Sequence, residues 1–222
     1  TLFRFAYWAN LKKRNTYLYM KNKTNHYYDR NAAVYDKVLS PVQKTLSKWR
    51  RRLLKDAHGK TLEIGIGTGK SLSDYPKGVS ITGIDSSENM LKYARKRANG
   101  YNHIDELLIM DAEDLRFPDN TFDTVVSSCV FCSINNPVKA LKEIKRVCKS
   151  TGTVYLLEHV RSKNKVIGKI MDILNPISFA LYGDNINRQT YDNLIEAGFE
   201  ASQIEVENVW WDIWQIYRIK IS

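Results

Sequence analysis

The chain has 222 residues, 43% of them apolar, enough to bury one substantial core yet within the range of a single domain. Its formal charge of +10 is concentrated in residues 1–60, which hold 15 Lys/Arg against 3 Asp/Glu; the front of the protein suits an anionic partner, and the remainder is an ordinary soluble surface. Three cysteines exclude a disulfide framework and point to a reducing, intracellular setting, and no stretch reaches the roughly 20 apolar residues of a membrane-spanning helix.

Residues 1–26 interleave Phe3, Phe5, Tyr7, Trp8, Tyr17 and Tyr19 with Arg4, Lys12, Lys13, Arg14, Lys21 and Lys23. This basic and aromatic extension, set apart from a domain over 27–222, suits an anionic membrane surface, the flank of a preceding anchor, or nucleic acid. A solvated arm docked on its own domain also fits. The chain begins at Thr1 rather than Met, so a leader or anchor removed from it stays open as an expectation. Residues Asn25–Leu54 read as helical, with a break at Ser40-Pro41.

From Lys60 to His159, short β-branched runs alternate with amphipathic ones, the pattern of β-α units around a parallel sheet. Strands are predicted at Thr61–Gly65, Val79–Asp85, Leu107–Asp111, Phe122–Ser128 and Thr153–Glu158. Crossover helices are predicted at Ser87–Ala98, capped by Ser87 and closed by Asn99-Gly100, and at Pro137–Cys148, stopped by Ser150-Thr151-Gly152. A helix at Asn187–Ala197 ends on Gly198, and strands near Glu200–Glu207 and Trp211–Ile221 complete seven. No repeat or linker marks a second independent domain.

The first strand runs into Glu63-Ile64-Gly65-Ile66-Gly67-Thr68-Gly69-Lys70-Ser71. A phosphate-binding P-loop needs a glycine where Ile64 stands, and the dinucleotide fingerprint needs one where Lys70 stands. What remains, an acid followed by Gly-x-Gly-x-Gly, resembles the methyltransferase pattern, which implies that Gly65, Gly67 and Gly69 let a cofactor approach the backbone and that Glu63 orients its ammonium group; a plain glycine-rich turn is the alternative. Asp85, sixteen residues beyond Gly69 at the end of the second strand, can accept from both hydroxyls of a ribose. Asp111, beside Ala112, can meet an adenine amine and face, although a strand-end aspartate is more often a helix cap or turn former.

Four stretches, Leu-Glu-Ile-Gly-Ile-Gly-Thr-Gly, Gly-Ile-Asp-Ser-Ser-Glu-Asn-Met-Leu, Asp-Ala-Glu-Asp-Leu-Arg-Phe-Pro-Asp-Asn-Thr-Phe-Asp and Leu-Lys-Glu-Ile-Lys-Arg-Val-Cys-Lys, together resemble class I S-adenosylmethionine-dependent methyltransferases. The resemblance covers about Tyr28–Phe199 and looks nearest to the ubiquinone/menaquinone, phosphatidylethanolamine and membrane thiol methyltransferases. It implies a doubly wound, Rossmann-like α/β sheet ordered 3-2-1-4-5-7-6 with strand 7 antiparallel, preceded by a helical extension. It also implies S-adenosylmethionine over the ends of strands 1, 2 and 4, with Ser86 and Met90 beside Asp85, and Ser128 and Cys129 on the fourth strand's exit.

Methyl transfer is an in-line displacement that chiefly requires alignment in a dry pocket, so neither a metal nor a catalytic triad is expected. A base matters only for an acceptor that arrives protonated. Cys129 and Cys132 form a lone C-x-x-C, which reads as small apolar lining rather than a zinc or redox site. Phe131 is a pocket candidate. His159, in a Glu-His that relatives carry near the acceptor, is the candidate base or substrate contact, with a structural histidine as the alternative. Tyr28 and Tyr35 resemble a lid helix whose ring covers the sulfonium, though packing of one helical face explains them equally.

Ile167–Arg188 corresponds to the relatives' variable acceptor segment; its apolar content suits a lipophilic acceptor or simple packing, and Arg188 either holds an anionic group or caps structure. The expected activity is methylation of a small lipophilic or membrane-associated acceptor, a lipid amine, quinone or thiol, at a membrane-associated, mitochondrial or other internal site. The alternative is a methyltransferase-fold subunit that docks through residues 1–60 into a larger assembly and turns over little.

Overall fold

A computed structural model describes residues 27–33, 36 and 40–222. The basic extension 1–26 and Tyr35 lie outside the described residues. Seven strands form one sheet: β1 (Lys60–Ile64), β2 (Ser80–Asp85), β3 (Ile104–Ile109), β4 (Phe122–Ser128), β5 (Cys148–His159), β6 (Ile204–Trp210) and β7 (Trp214–Lys220). Their order is β3-β2-β1-β4-β5-β7-β6, with β7 antiparallel to both β5 and β6 and the other pairings parallel. Order and direction match the expectation drawn from the resemblance.

Alternation along the strands divides the core. Val125, Val154 and Leu156 face Leu141 and Ile144 of α3 (Pro137–Val147) and Leu194 of α5 (Thr190–Glu196). Val126, Tyr155 and Leu157 face Leu53 and Leu54 of α1 (Ser40–Leu54), and Ile81 faces Leu91 and Ala94 of α2 (Glu88–Ala98). Successive side chains of a strand point to opposite faces, so a buried parallel strand reads as an unbroken apolar run. The crossover helices start on their caps: Ser87 accepts from Met90 N at 3.1 Å, and Asn136 from Lys139 N at 3.0 Å with Pro137 in the first turn.

Four boundaries differ from the sequence expectation. Ser150-Thr151-Gly152 does not end a helix; it lies within β5, where the pairing jumps from Phe122↔Cys148 to Thr124↔Thr153 and the extra residues form a bulge. β3 begins and ends earlier than expected, leaving Asp111 on the loop after it. Trp211 adopts φ 48 and turns the chain between β6 and β7, so β7 begins only at Trp214. The variable segment is mostly one helix, α4 (Lys165–Tyr182), and α5 starts correspondingly late.

One glycine sets how closely the loop after β1 approaches the sheet. A Cβ on Gly83 of β2 would lie 2.5 Å from Ile66 Cδ1 and 2.8 Å from Leu107 Cδ2, so any larger residue there would make both side chains shift.

Candidate active site

The carboxyl ends of β1, β2 and β4 surround a cavity holding about 850 Å³ of empty space, its open mouth included. This is the usual location for a ligand in an open α/β sheet. Of the predicted site residues, Gly65, Gly67, Asp85, Ser86, Met90, Asp111, Ala112, Ser128, Cys129 and Tyr28 line it. Apolar strand ends that pass for core in the sequence, Ile64, Ile84 and Met110, complete its floor, and Val130, Ser133, Ile134 and Asn135 form the wall beyond β4.

The glycine loop and Asp85 form one unit. Asp85 accepts from Gly67 N at 2.8 Å through Oδ2 and from Ser87 N at 2.9 Å through Oδ1. The carboxylate lines the cavity, where a ribose hydroxyl can reach it. Burial raises the Asp85 pKa, with the hydrogen bonds from Ser87 and Gly67 opposing the shift. Gly67 adopts φ +56, and a Cβ built there meets nothing within 4 Å. Its open face is a cradle that a side chain would occupy, which fits a nucleoside lying against the backbone.

Glu63 does not line the cavity. It lies on the opposite face of β1 from Ile64, where it is buried and accepts from Tyr75 OH at 3.1 Å. Burial carries its pKa up to about 7. Its carboxylate thus lies beneath the loop, outside the cavity lining. Gly69 is likewise outside the lining; its φ of 77 turns the loop into a short 3-10 turn at Lys70–Asp74.

The acceptor-side expectations divide in the same way. Cys129 lines the cavity with φ 60, an uncommon backbone for a residue bearing a Cβ and one often found at functional sites. Burial pushes the Cys129 thiol up to about 12 and that of Cys132 well above its ordinary value, so both stay neutral. Phe131 is fully buried in the core behind the wall. His159 is also outside the lining: its ring packs edge-on to Trp214 at 5.4 Å, and burial lowers its pKa, keeping it uncharged near neutrality. Arg188 is half-buried, donating to Ile134 O and supporting the wall from behind.

Glu158, rather than its neighbour His159, shapes the site. Fully buried at the end of β5, it accepts from Val130 N and Phe131 N at 3.2 Å each and from Ser127 Oγ at 3.3 Å, fixing the loop that carries Cys129 and Val130. Burial raises its pKa to about 7.

Residues 27–33 are helical and lie over the cavity, where Tyr28 enters the lining. Tyr28 OH donates to Asp184 Oδ1 at 2.8 Å, just beyond α4. Asp29 accepts from Ser87 Oγ at 2.5 Å at the start of α2, and Asn89 Nδ2 donates to the Asp29 carbonyl at 3.1 Å. Asp36 accepts from Thr68 Oγ1 at 2.8 Å in the glycine loop and pairs with Arg97 at 3.0 Å. The segment is thus tied to three sides of the cavity. Asp29 and Asp36 were missed as site residues, although their seven-residue spacing repeats that of Tyr28 and Tyr35 and puts both acids on one helical face.

Residues 62–156 match the methyltransferase domain family. The chain is 37% identical over 129 residues to a phosphatidylethanolamine N-methyltransferase of Cereibacter sphaeroides, covering 57% of this chain and 64% of that protein. It is 30% identical over 182 residues to the mitochondrial methyltransferase OMS1 of Saccharomyces cerevisiae, covering 72% of this chain and 38% of that protein. The chain therefore spans less than two thirds of the length of either relative. Others are named thiol S-methyltransferase and demethylmenaquinone methyltransferase. A SAM-dependent methyltransferase of known structure from Thermotoga maritima superposes with a TM-score of 0.67 at 22% identity, covering 90% of this chain and 100% of that one. The sheet order, the glycine loop tied to Asp85 and the family match together identify residues 62–156 as a methyltransferase domain within a Rossmann-like sheet, with S-adenosylmethionine as its cofactor.

Proposed function

We propose that this protein transfers a methyl group from S-adenosylmethionine to a small lipophilic or membrane-associated acceptor bearing an amine, enol or thiol nucleophile. The observation that carries this reading is the two-sided cavity. One side is the open Gly67 face with Asp85 at the ribose position; the other is the apolar wall of Val130 and Ile134 under Tyr28. Relatives named for a lipid amine, a thiol and a quinone precursor support the acceptor class, and the relative named as mitochondrial supports a mitochondrial setting.

In this assignment Gly65, Gly67, Asp85, Ser86 and Met90 hold the cofactor, with Asp111 and Ala112 at its adenine. The cofactor supplies an electrophilic methyl group on sulfonium. The chain's own task is alignment and exclusion of water. Tyr28 closes the cavity from above, held in place by Asp184, and Glu158 holds Val130 and Cys129 on the acceptor side. The neutral thiol of Cys129 adds small, unreactive lining. His159, set back against Trp214, acts through packing rather than as a base.

Calorimetric titration with S-adenosylmethionine and S-adenosylhomocysteine, with NAD and ATP as controls, tests the cofactor half. Methyl incorporation into phosphatidylethanolamine, an alkyl thiol and a demethylated quinone in detergent, with RNA as control, tests the acceptor half. Incorporation into RNA alone would overturn the acceptor assignment. Cofactor binding with no incorporation into any acceptor would favour the docking-subunit alternative.

A further inference from the structure

A helix on the surface of a globular domain ordinarily turns its apolar stripe inward. α4 does the reverse. Val166, Ile170, Ile173, Leu174, Ile177 and Leu181 are exposed by 46–68%. At the α-helical repeat these six fall within an arc of about 100°. The face toward the protein holds only Gly168 and Met171 as buried residues. A continuous apolar strip of this kind on a soluble surface marks an interaction site.

Two further features border the strip. Ser162 Oγ and Lys163 N both bond to Asp212, at 2.9 and 2.6 Å, tying the start of α4 to the turn between β6 and β7. That turn presents Trp210 and Trp211 stacked at 5.8 Å and 51% and 70% exposed. Lys163, Lys165 and Lys169 are exposed along the same end, whereas the helix's one acid, Asp172, is occupied by Arg161 at 2.8 Å and Asn187 at 3.0 Å. Apolar side chains for the acyl boundary, indole rings for the headgroup layer and ammonium groups for lipid phosphates make up an interfacial membrane-binding surface. Among the described residues no helix is long and apolar enough to cross a membrane.

We propose that α4, with the Trp210-Trp211 turn, docks this domain flat on an anionic phospholipid bilayer and brings the cavity to the membrane. The far end of α4 leads to the cavity: Tyr182 packs edge-on to Tyr27 at 6.1 Å, and Asp184 holds Tyr28 in the lining. In its purpose, though not in its binding chemistry, the docking rests on the lipophilic-acceptor reading, because a bilayer-seated face supplies such an acceptor without a passage through water.

The test is co-sedimentation of the full chain with phosphatidylcholine vesicles, with and without phosphatidylserine, alongside I173D/I177D and the charge reversal K163E/K165E/K169E. The wild type sediments with the phosphatidylserine vesicles. The apolar variant, whose two positions are solvent-exposed, partitions about tenfold less or weaker, since one buried isoleucine is worth about that factor. The charge reversal removes the preference for phosphatidylserine. Unchanged sedimentation of I173D/I177D, or no wild-type sedimentation, overturns the proposal. So does a wild-type dimer that this variant splits into monomers while vesicle binding persists, which would assign the strip to a second copy. Methylation of detergent-dispersed acceptors separates the two readings. If I173D/I177D retains it and also still sediments, only the docking fails; if the wild type sediments but methylates no lipophilic acceptor, only the acceptor assignment fails.

Discussion

Replacing Gly67 with arginine separates the cost of the backbone from the cost of filling the cavity. Gly67 and Gly78 both have positive φ, +56 and +88, and a Cβ at either meets nothing within 4 Å. Only Gly67 lines the cavity. A residue with a Cβ in the left-handed region costs about 1–2 kcal/mol, so G67R and G78R should lower the melting temperature similarly, by roughly 2–8 °C for a domain of this size. Their ligand responses should diverge. S-adenosylhomocysteine at about 100 times its Kd stabilises a binding-competent fold by about 2.7 kcal/mol, a rise of roughly 5–11 °C. G78R should retain that rise, whereas G67R should lose it and show calorimetric affinity weakened about a hundredfold or more, equivalent to at least about 2.7 kcal/mol. Equal ligand-induced shifts in the two variants would refute the placement of the cofactor against Gly67.

Asp85→Asn should weaken cofactor affinity about tenfold to a hundredfold by calorimetry, since an amide cannot accept from Gly67 N and Ser87 N with both its heavy atoms. Because burial raises the Asp85 pKa, wild-type affinity should begin to fall at a higher pH on acidification than an ordinary aspartate would give, and the asparagine variant should lack that dependence. Glu63 titrates near 7 in the fold against 4.5 in the unfolded chain, so the native state binds the extra proton and wild-type stability should rise as pH falls from about 7 toward 4.5. Glu63→Gln, which keeps an acceptor for Tyr75, should flatten that rise in denaturant melts; an unchanged slope would remove Glu63 as its source. Tyr28→Phe deletes the bond to Asp184 while keeping the ring, and should cost about 1 kcal/mol of lid closure, seen as a severalfold rise in KM with little change in melting temperature.

Much of the cofactor side was legible because backbone chemistry sits in short local motifs. Gly65, Gly67, Asp85, Ser86 and Met90 fall on two strand-to-helix turns whose strands were visible as β-branched runs. The strand order was not in that pattern; it came from the resemblance. Glu63 lies outside the lining because neighbouring strand residues face opposite layers, which adjacency in the motif does not reveal. The acceptor side was harder to read. Whether Phe131, His159 and Arg188 meet the cavity or prop its wall depends on the turn at Cys129 and on Glu158, which bonds residues 27 and 28 positions away. Nor could composition tell which way the apolar stripe of α4 faces.

Gly83 acts on the site from a distance. It lies outside the cavity lining, yet a side chain there would press on Ile66, the residue before Gly67, whose N–H bonds to Asp85. A variant library that randomised only cavity-lining positions would never sample it, and a graft of those positions onto another sheet would have to repack Ile66 if the recipient strand carried valine there. Clearance beneath the loop is as much a part of this site's specification as the groups that face the cavity.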